Sequence, residues 1–232
     1  MRYRAFSTGF IFFIFFVMGF PNFNEEKKLW KNGYKAVAGL DEAGRGPLAG
    51  PVVAAAVILK LENLEINKFI KNLKLKIKNS VTDSKRLSEK QRENVYEELI
   101  ACKEIVWGVG SVSEKIIDKI NILEATKLAM QKAIKDLSPD FLILDGNFAI
   151  NSKIPQKSVI KGDSKVFSIA AASIIAKVKR DRIMHKYHKK YPKYNFAKHK
   201  GYPTKAHFAS LKKFGPCKIH RKTFYPVNTH IG

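Results

Sequence analysis

The chain has 232 residues, 45% of them hydrophobic, and a formal charge of +23 with a pI near 9.9. That length and apolar content suit one large domain with a sizeable core, and the charge predicts an anionic partner, nucleic acid first and an acidic membrane surface second. A Lys-favouring codon bias contributes to the excess. Cys102 and Cys217 stand far apart in no metal or redox spacing, which excludes a disulfide framework and reads as two reduced thiols in a cytoplasmic protein.

Residues 1–33 read as a hydrophobic extension and lead-in, and 34–232 as the functional domain. Arg2 and Arg4 precede an aromatic run from Phe10 to Met18 that is too short to span a bilayer comfortably. Three readings stay open for it: a start codon placed too early, with Met18 the true start, a membrane tether, or an export signal lacking a small-residue cleavage site. Asn24 to Lys35 is a polar helix or loop. Ala36 to Leu40 and Val52 to Leu59 read as buried strands around Asp41-Glu42 and the turn Gly44-Arg45-Gly46-Pro47. Leu61 to Ser80 reads as a helix or a variable hairpin. Ser88 and Gln91 have capping-box spacing and open a helix running to about Cys102. Ile105 to Val112 is a strand in which Gly108 and Gly110 mark a bulge or a close approach.

A short helix starts at Ser113 and a better one near Asn121, with Ile122, Ala125, Leu128, Ala129 and Ala133 on one face. Phe141 to Leu144 is a buried strand ending on Asp145-Gly146-Asn147. A long helix runs from about Phe167 to Lys189, small and apolar in its first half and basic in its second. Residues 177–200 hold ten Lys or Arg against one acid, Asp181, with Tyr187, Tyr191, Tyr194 and Phe196 between them. This reads as a solvated basic face or a nucleic-acid track. The six histidines, all from His185 onward, are assigned to the same face. A last helix begins at Thr204 and ends before Gly215. Strands alternating with helices imply an α/β fold around one sheet.

Asp41, Asp145 and Asp163 each follow an apolar or β-like run, and Glu42 accompanies the first. Singly, each is as readily a turn or cap residue. Together, on so basic a chain, they suit Mg²⁺ or Mn²⁺ rather than Zn²⁺. Two cations about 3.5–4 Å apart would offset the mutual repulsion and clamp an in-line phosphoryl displacement. One geometric condition applies. On a regular strand Asp41 and Glu42 face opposite ways, so both reach one site only if the strand ends or bulges there. Gly44-Arg45-Gly46 offers backbone N–H groups to a phosphodiester, with Arg45 adding charge.

Several separated segments carry a resemblance. Gly39 to Val52 (GLDEAGRGPLAGPV), Asp83 to Leu87, Asn121 to Thr126 with Ala129-Met130, Asp145-Gly146-Asn147, Lys161-Gly162-Asp163, Ala170 to Ile174, Lys200 to Thr204 and His220 to Phe224 resemble the motifs of bacterial ribonuclease HII. The resemblance spans about Lys35 to Val227. It implies a ribonuclease-H-like fold, a central mixed sheet flanked by helices with a basic helical C-terminal part. It also implies endonucleolytic hydrolysis of the RNA strand of RNA–DNA hybrids and incision 5′ of ribonucleotides embedded in duplex DNA, leaving 5′-phosphate and 3′-hydroxyl ends. By the same resemblance Asp41, Glu42, Asp145 and Asp163 hold two cations, Mn²⁺ or Mg²⁺. Gly44, Arg45 and Gly46 contact the 2′-hydroxyl and phosphate, Ser84 and Lys85 hold backbone phosphates, and Tyr202 stacks on the sugar at the RNA-to-DNA junction. A monomer with no stable protein partner is expected, and any membrane contact falls to the N-terminal segment. Two rivals stay open: a non-catalytic RNA-binding protein, which would bind without cutting, and a junction resolvase on the same fold, which would ignore the 2′-hydroxyl.

Overall fold

The computed structural model describes residues 21–60, 66–76, 81, 84 and 87–230. The N-terminal aromatic run, Asp83, Lys85 and Arg86 lie outside them. The elements in chain order are α1 (Asn24–Lys31), β1 (Val37–Ala43), β2 (Val52–Leu59), α2 (Ile66–Lys76), α3 (Glu89–Ala101), β3 (Ile105–Val112), α4 (Glu114–Ile134), β4 (Phe141–Asp145) and β5 (Gln156–Val159). A 3₁₀ turn at Gly162–Ser164 leads into α5 (Phe167–Lys190), followed by α6 (Phe196–His199) and α7 (Lys205–Phe214).

The five strands form one mixed sheet in the order β3-β2-β1-β4-β5. β1, β2 and β3 pair antiparallel, whereas β1-β4 and β4-β5 pair parallel. Both faces are covered, so the strands read as continuous apolar runs, yet their side chains still sort with period two. Val37, Ala55, Val57 and Ile143 pack toward α5, and Ala38, Leu40, Ala54, Ala56, Leu142 and Leu144 toward α4. Gly108 and Gly110 mark a close approach and no bulge. A Cβ on either would stand about 2 Å from the carbonyls of Ala133 and Ala129 on α4.

Local chemistry sets the helix ends. Ser88 and Gln91 exchange both bonds of a capping box at the start of α3. α4 is kinked at Asn121 (φ 65°), whose side chain accepts from the N–H groups of Leu123 and Glu124 and so caps the second segment. α1 is docked into the core. Phe23 stacks on Phe167 at 4.4 Å between ring centroids, Leu29 and Trp30 are buried, and Glu26 accepts from the Ser168 N–H in the first turn of α5. Burial pushes the Glu26 carboxyl up, and the helix N–H it accepts opposes that. β5 is the strand that periodicity does not reveal, a four-residue sheet edge reading Gln156-Lys157-Ser158-Val159. Among the described residues no helix is long and apolar enough to cross a membrane.

Candidate active site

Strand pairing brings the acids together. The β1-β4 register runs to Leu40↔Leu144, so Asp41 and Asp145 leave neighbouring parallel strands side by side. Both share the parity of residues that face α5. Asp163 arrives from the 3₁₀ turn before α5, and the adjacent Gly162 N–H donates to Asp145 Oδ1 at 2.6 Å. Carboxylate oxygens of Asp41, Asp145 and Asp163 come within 4.8 Å of one another. Asp41 and Asp163 are 4% and 5% exposed, which makes three acids at this spacing costly without a compensating charge.

Glu42 does not join the triad. β1 runs without a bulge to the Ala43↔Val53 pair, so Glu42 keeps the opposite parity. It lines the same cleft, where its Oε1 lies 3.4 Å from Arg45 Nη1 and its Oε2 is buried with no hydrogen-bond partner among the described residues. Burial, then Glu42 and then Asp145 raise the Asp41 carboxyl well above the usual range, while the Ser173 hydroxyl and the Glu42 N–H oppose this. Glu42 is also raised by burial, with Arg45 opposing and Asp145 adding to it. An orphaned Glu42 oxygen beside three converging acids fits a hard divalent cation, which would offset their mutual repulsion.

A cleft of about 230 Å³ opens over the acids. Its lining includes Asp41, Glu42, Asp145, the Gly44-Arg45-Gly46 turn, Ser84 and Tyr202. Gly44 has φ +100°, and a Cβ there would lie 2.0 Å from Arg180 Nε. The turn therefore needs glycine at 44 on two counts. At Gly46 an added Cβ would meet only Tyr202 Cε1, at 3.9 Å, so the fold itself leaves that space open. Of the expected site residues, only Lys85 lies outside the described set.

The sequence reading assigns no role to three residues near the site, although Ser173 lies in the Ala170 to Ile174 motif. Ser173 and Lys177 line the cleft from α5, and Arg180 lies behind it. The Ser173 hydroxyl meets that of Ser84 at 2.9 Å and also Asp41. Lys177 Nζ pairs with Asp181 at 2.5 Å. Arg180 is fully buried, bonds the carbonyls of Ala49, Pro51 and Lys200, and lies 5.8 Å from the Tyr202 ring. The available signal was helical spacing, since 173, 177 and 180 share one face of α5.

The basic stretch is not one solvated face. Arg180, Asp181, Tyr194, Phe196, His199 and Lys200 are buried. His199, His207 and His220 form an internal cluster with Tyr194 and Phe196 in place of a surface patch. The hydrogen bonds set the tautomers. The Cys217 N–H donates to His220 Nδ1, His220 Nε2 donates to His207 Nε2 at 3.0 Å, and His207 Nδ1 donates to the Tyr202 carbonyl at 3.0 Å. This chain of bonds holds the segment that carries Tyr202.

The sequence model of the family described as ribonuclease HII matches residues 38–227. The chain belongs to the ribonuclease HII family. A ribonuclease HII of Chlamydia muridarum is 53% identical over 208 residues, covering 89% of each chain. The ribonuclease H2 structure from Pyrococcus horikoshii superposes with a TM-score of 0.66 at 29% identity, over 84% of this chain and 96% of the other. The ribonuclease HII of Archaeoglobus fulgidus, solved in complex with PCNA, gives 0.64 at 27% identity, over 82% and 95%. The ribonuclease-H-like fold is thereby established, and the protein is a ribonuclease H hydrolase of a family that cleaves the RNA of RNA–DNA hybrids. That membership counts against the rival of a non-catalytic RNA-binding protein.

Proposed function

We propose that this protein also incises duplex DNA 5′ of a single embedded ribonucleotide, with Asp41, Asp145, Asp163 and Glu42 holding two divalent cations, Mg²⁺ or Mn²⁺. The observation that carries the reading is the triad of carboxylates within 4.8 Å of one another, beside a glycine turn that leaves its space to a ligand. When bound, the cations supply the positive charge that activates water and offsets charge on the leaving 3′-oxygen. Gly44, Arg45 and Gly46 bring main-chain N–H groups and one guanidinium to the ribose 2′-hydroxyl and its phosphate. Tyr202, 38% exposed at the cleft, lies against the sugar at the junction. Ser84 is tied to Ser173 and through it to Asp41, so a phosphate held at Ser84 is in register with the acids. Cleavage breaks the P–O3′ bond and leaves a 5′-phosphate and a 3′-hydroxyl.

A cytoplasmic location belongs to the same proposal, since Cys102 and Cys217 are the chain's two cysteines and stand in no metal or redox spacing. The PCNA complex of the Archaeoglobus fulgidus relative makes a sliding clamp the first partner to test. The deciding experiment is cleavage of a duplex carrying one ribonucleotide, with and without Mg²⁺ or Mn²⁺, beside an all-DNA duplex and a long hybrid. A cation-dependent cut 5′ of the ribonucleotide and none in the all-DNA control is expected. Equal cutting of the all-DNA duplex, or cutting of the long hybrid alone, would overturn the reading.

A further inference from the structure

Arg221 is fully buried, and among the described residues its side-chain hydrogen bonds all go to main-chain carbonyls rather than to a carboxylate. Nη2 reaches Gly44 O at 2.6 Å and Nη1 reaches Arg45 O at 2.8 Å, while Nε and Nη2 share Gly50 O at 3.0 and 2.9 Å. Burial, with Arg180 nearby, brings the guanidinium down to about 9, so it stays cationic at neutral pH. The residue is itself held firmly. Its N–H donates to Leu48 O, and Asp118 accepts from Lys222 and Thr223 just beyond it.

A trans peptide plane carries its C=O and the following N–H on opposite sides. Drawing Gly44 O inward turns the Arg45 N–H outward, and drawing Arg45 O inward does the same for the Gly46 N–H. Among the described residues neither N–H has an acceptor, and both residues line the cleft. One buried guanidinium therefore sets the direction of two adjacent donors. A donor aimed at a hydroxyl is left unpaired when the hydroxyl is missing, and this is how a site rejects an analogue that lacks the group.

We propose that Arg221 is the positioning residue of ribose recognition, fixing the 44–45 and 45–46 peptide planes so that the preference for a ribonucleotide over a deoxyribonucleotide runs through it. This rests on the reading of the Gly44-Arg45-Gly46 turn given above. The test is Arg221→Lys, which keeps the charge and loses the planar fork. Three quantities are measured for the full chain: kcat and KM on a duplex with one ribonucleotide, the Kd for the matching all-DNA duplex, and Tm. Loss of one well-aimed donor predicts that kcat/KM on the ribonucleotide duplex falls about tenfold or more while the Kd for all-DNA duplex is unchanged. A merely structural role predicts that both decline together with Tm, and that result, or an unchanged kcat/KM, overturns the proposal. If wild type itself shows no cut at the ribonucleotide, the functional reading fails first and separately. Should the lysine variant not fold, the wild-type enzyme decides. The Arg45 and Gly46 amide resonances must move further on adding the ribonucleotide duplex than on adding the all-DNA duplex, and equal shifts with the two duplexes refute the role.

Discussion

Replacing Asp41 by Asn should stabilise the metal-free enzyme while abolishing its activity. Two unit charges at the 4.8 Å limit that separates the triad's oxygens repel by about 3.5 kcal/mol at an effective dielectric constant of about 20. Asp41 feels both Glu42 and Asp145 and has almost no solvent to screen it. Asn is nearly isosteric. Its Oδ1 still accepts the Glu42 N–H that Asp41 now binds at 2.6 Å, and the Ser173 hydroxyl can turn to suit it. Even if proton uptake relieves two thirds of one pair's repulsion, about 1 kcal/mol remains, or roughly 2–4 °C in Tm for a chain of this size. The assay is a melting curve in EDTA, repeated across a titration of Mg²⁺ or Mn²⁺. In EDTA the variant should melt above wild type. With cation, wild type should rise and overtake it, because only wild type keeps the full ligand set. A variant melting at or below wild type in EDTA would refute the claim that these acids are held together under repulsion. A wild-type Tm indifferent to cation would refute the site.

Gly46→Ala should leave the unfolding free energy within about 0.5 kcal/mol of wild type, since its Cβ meets nothing closer than 3.9 Å, and yet cut kcat/KM on a ribonucleotide duplex. Gly44→Ala should cost about 2 kcal/mol or more, read from denaturant unfolding, because of its positive φ and the clash with Arg180. His207 and His220 are both depressed by burial to about 4. Folding therefore favours their neutral forms, and their contribution is present above pH 6.5 and lost as pH falls toward 4. Between pH 6.5 and 5 each should remove about 1.5 kcal/mol. His207→Gln should flatten that part of the Tm–pH curve, and an unchanged slope would count against the buried cluster. Glu26→Ala should lower Tm by about 1–2 kcal/mol equivalent through loss of the α5 cap, and no change would show that the Ser168 N–H finds another acceptor.

Much of the fold was legible because its signals are local. Apolar runs gave β1, β2, β3 and β4, and Ser88, Asn121, Thr204 and Gly215 sit at helix ends whose caps are chemical and short-range. β5 was not legible, since Gln156-Lys157-Ser158 at a sheet edge carries no alternation and gains its place by pairing with β4. Asp41, Asp145 and Asp163 were legible as strand-end or turn acids, but their convergence is a property of the β1-β4 register, which no local pattern states. Glu42 shows the limit of period-two reasoning in the other direction. The parity rule held and kept it out of the triad, and a side chain of its length still reaches the cleft.

The basic C-terminal part was the least legible because charge alone does not say where a cation points. An arginine in water and an arginine bound to three carbonyls contribute equally to a net charge of +23. Arg180 and Arg221 belong to the second kind. Between them they take up carbonyls from Gly44 to Pro51 and from Lys200, the two segments that carry the turn and Tyr202. Removing two guanidinium groups from water is expensive unless each donor is satisfied, and main-chain carbonyls satisfy them without cancelling their charge. That charge remains behind the surface that must receive a phosphodiester. A carboxylate partner would have held the loops equally well and removed the attraction. The choice of carbonyls as acceptors therefore ties the packing of this region to its affinity for nucleic acid, and it accounts for a positive excess whose core positions no surface argument explains.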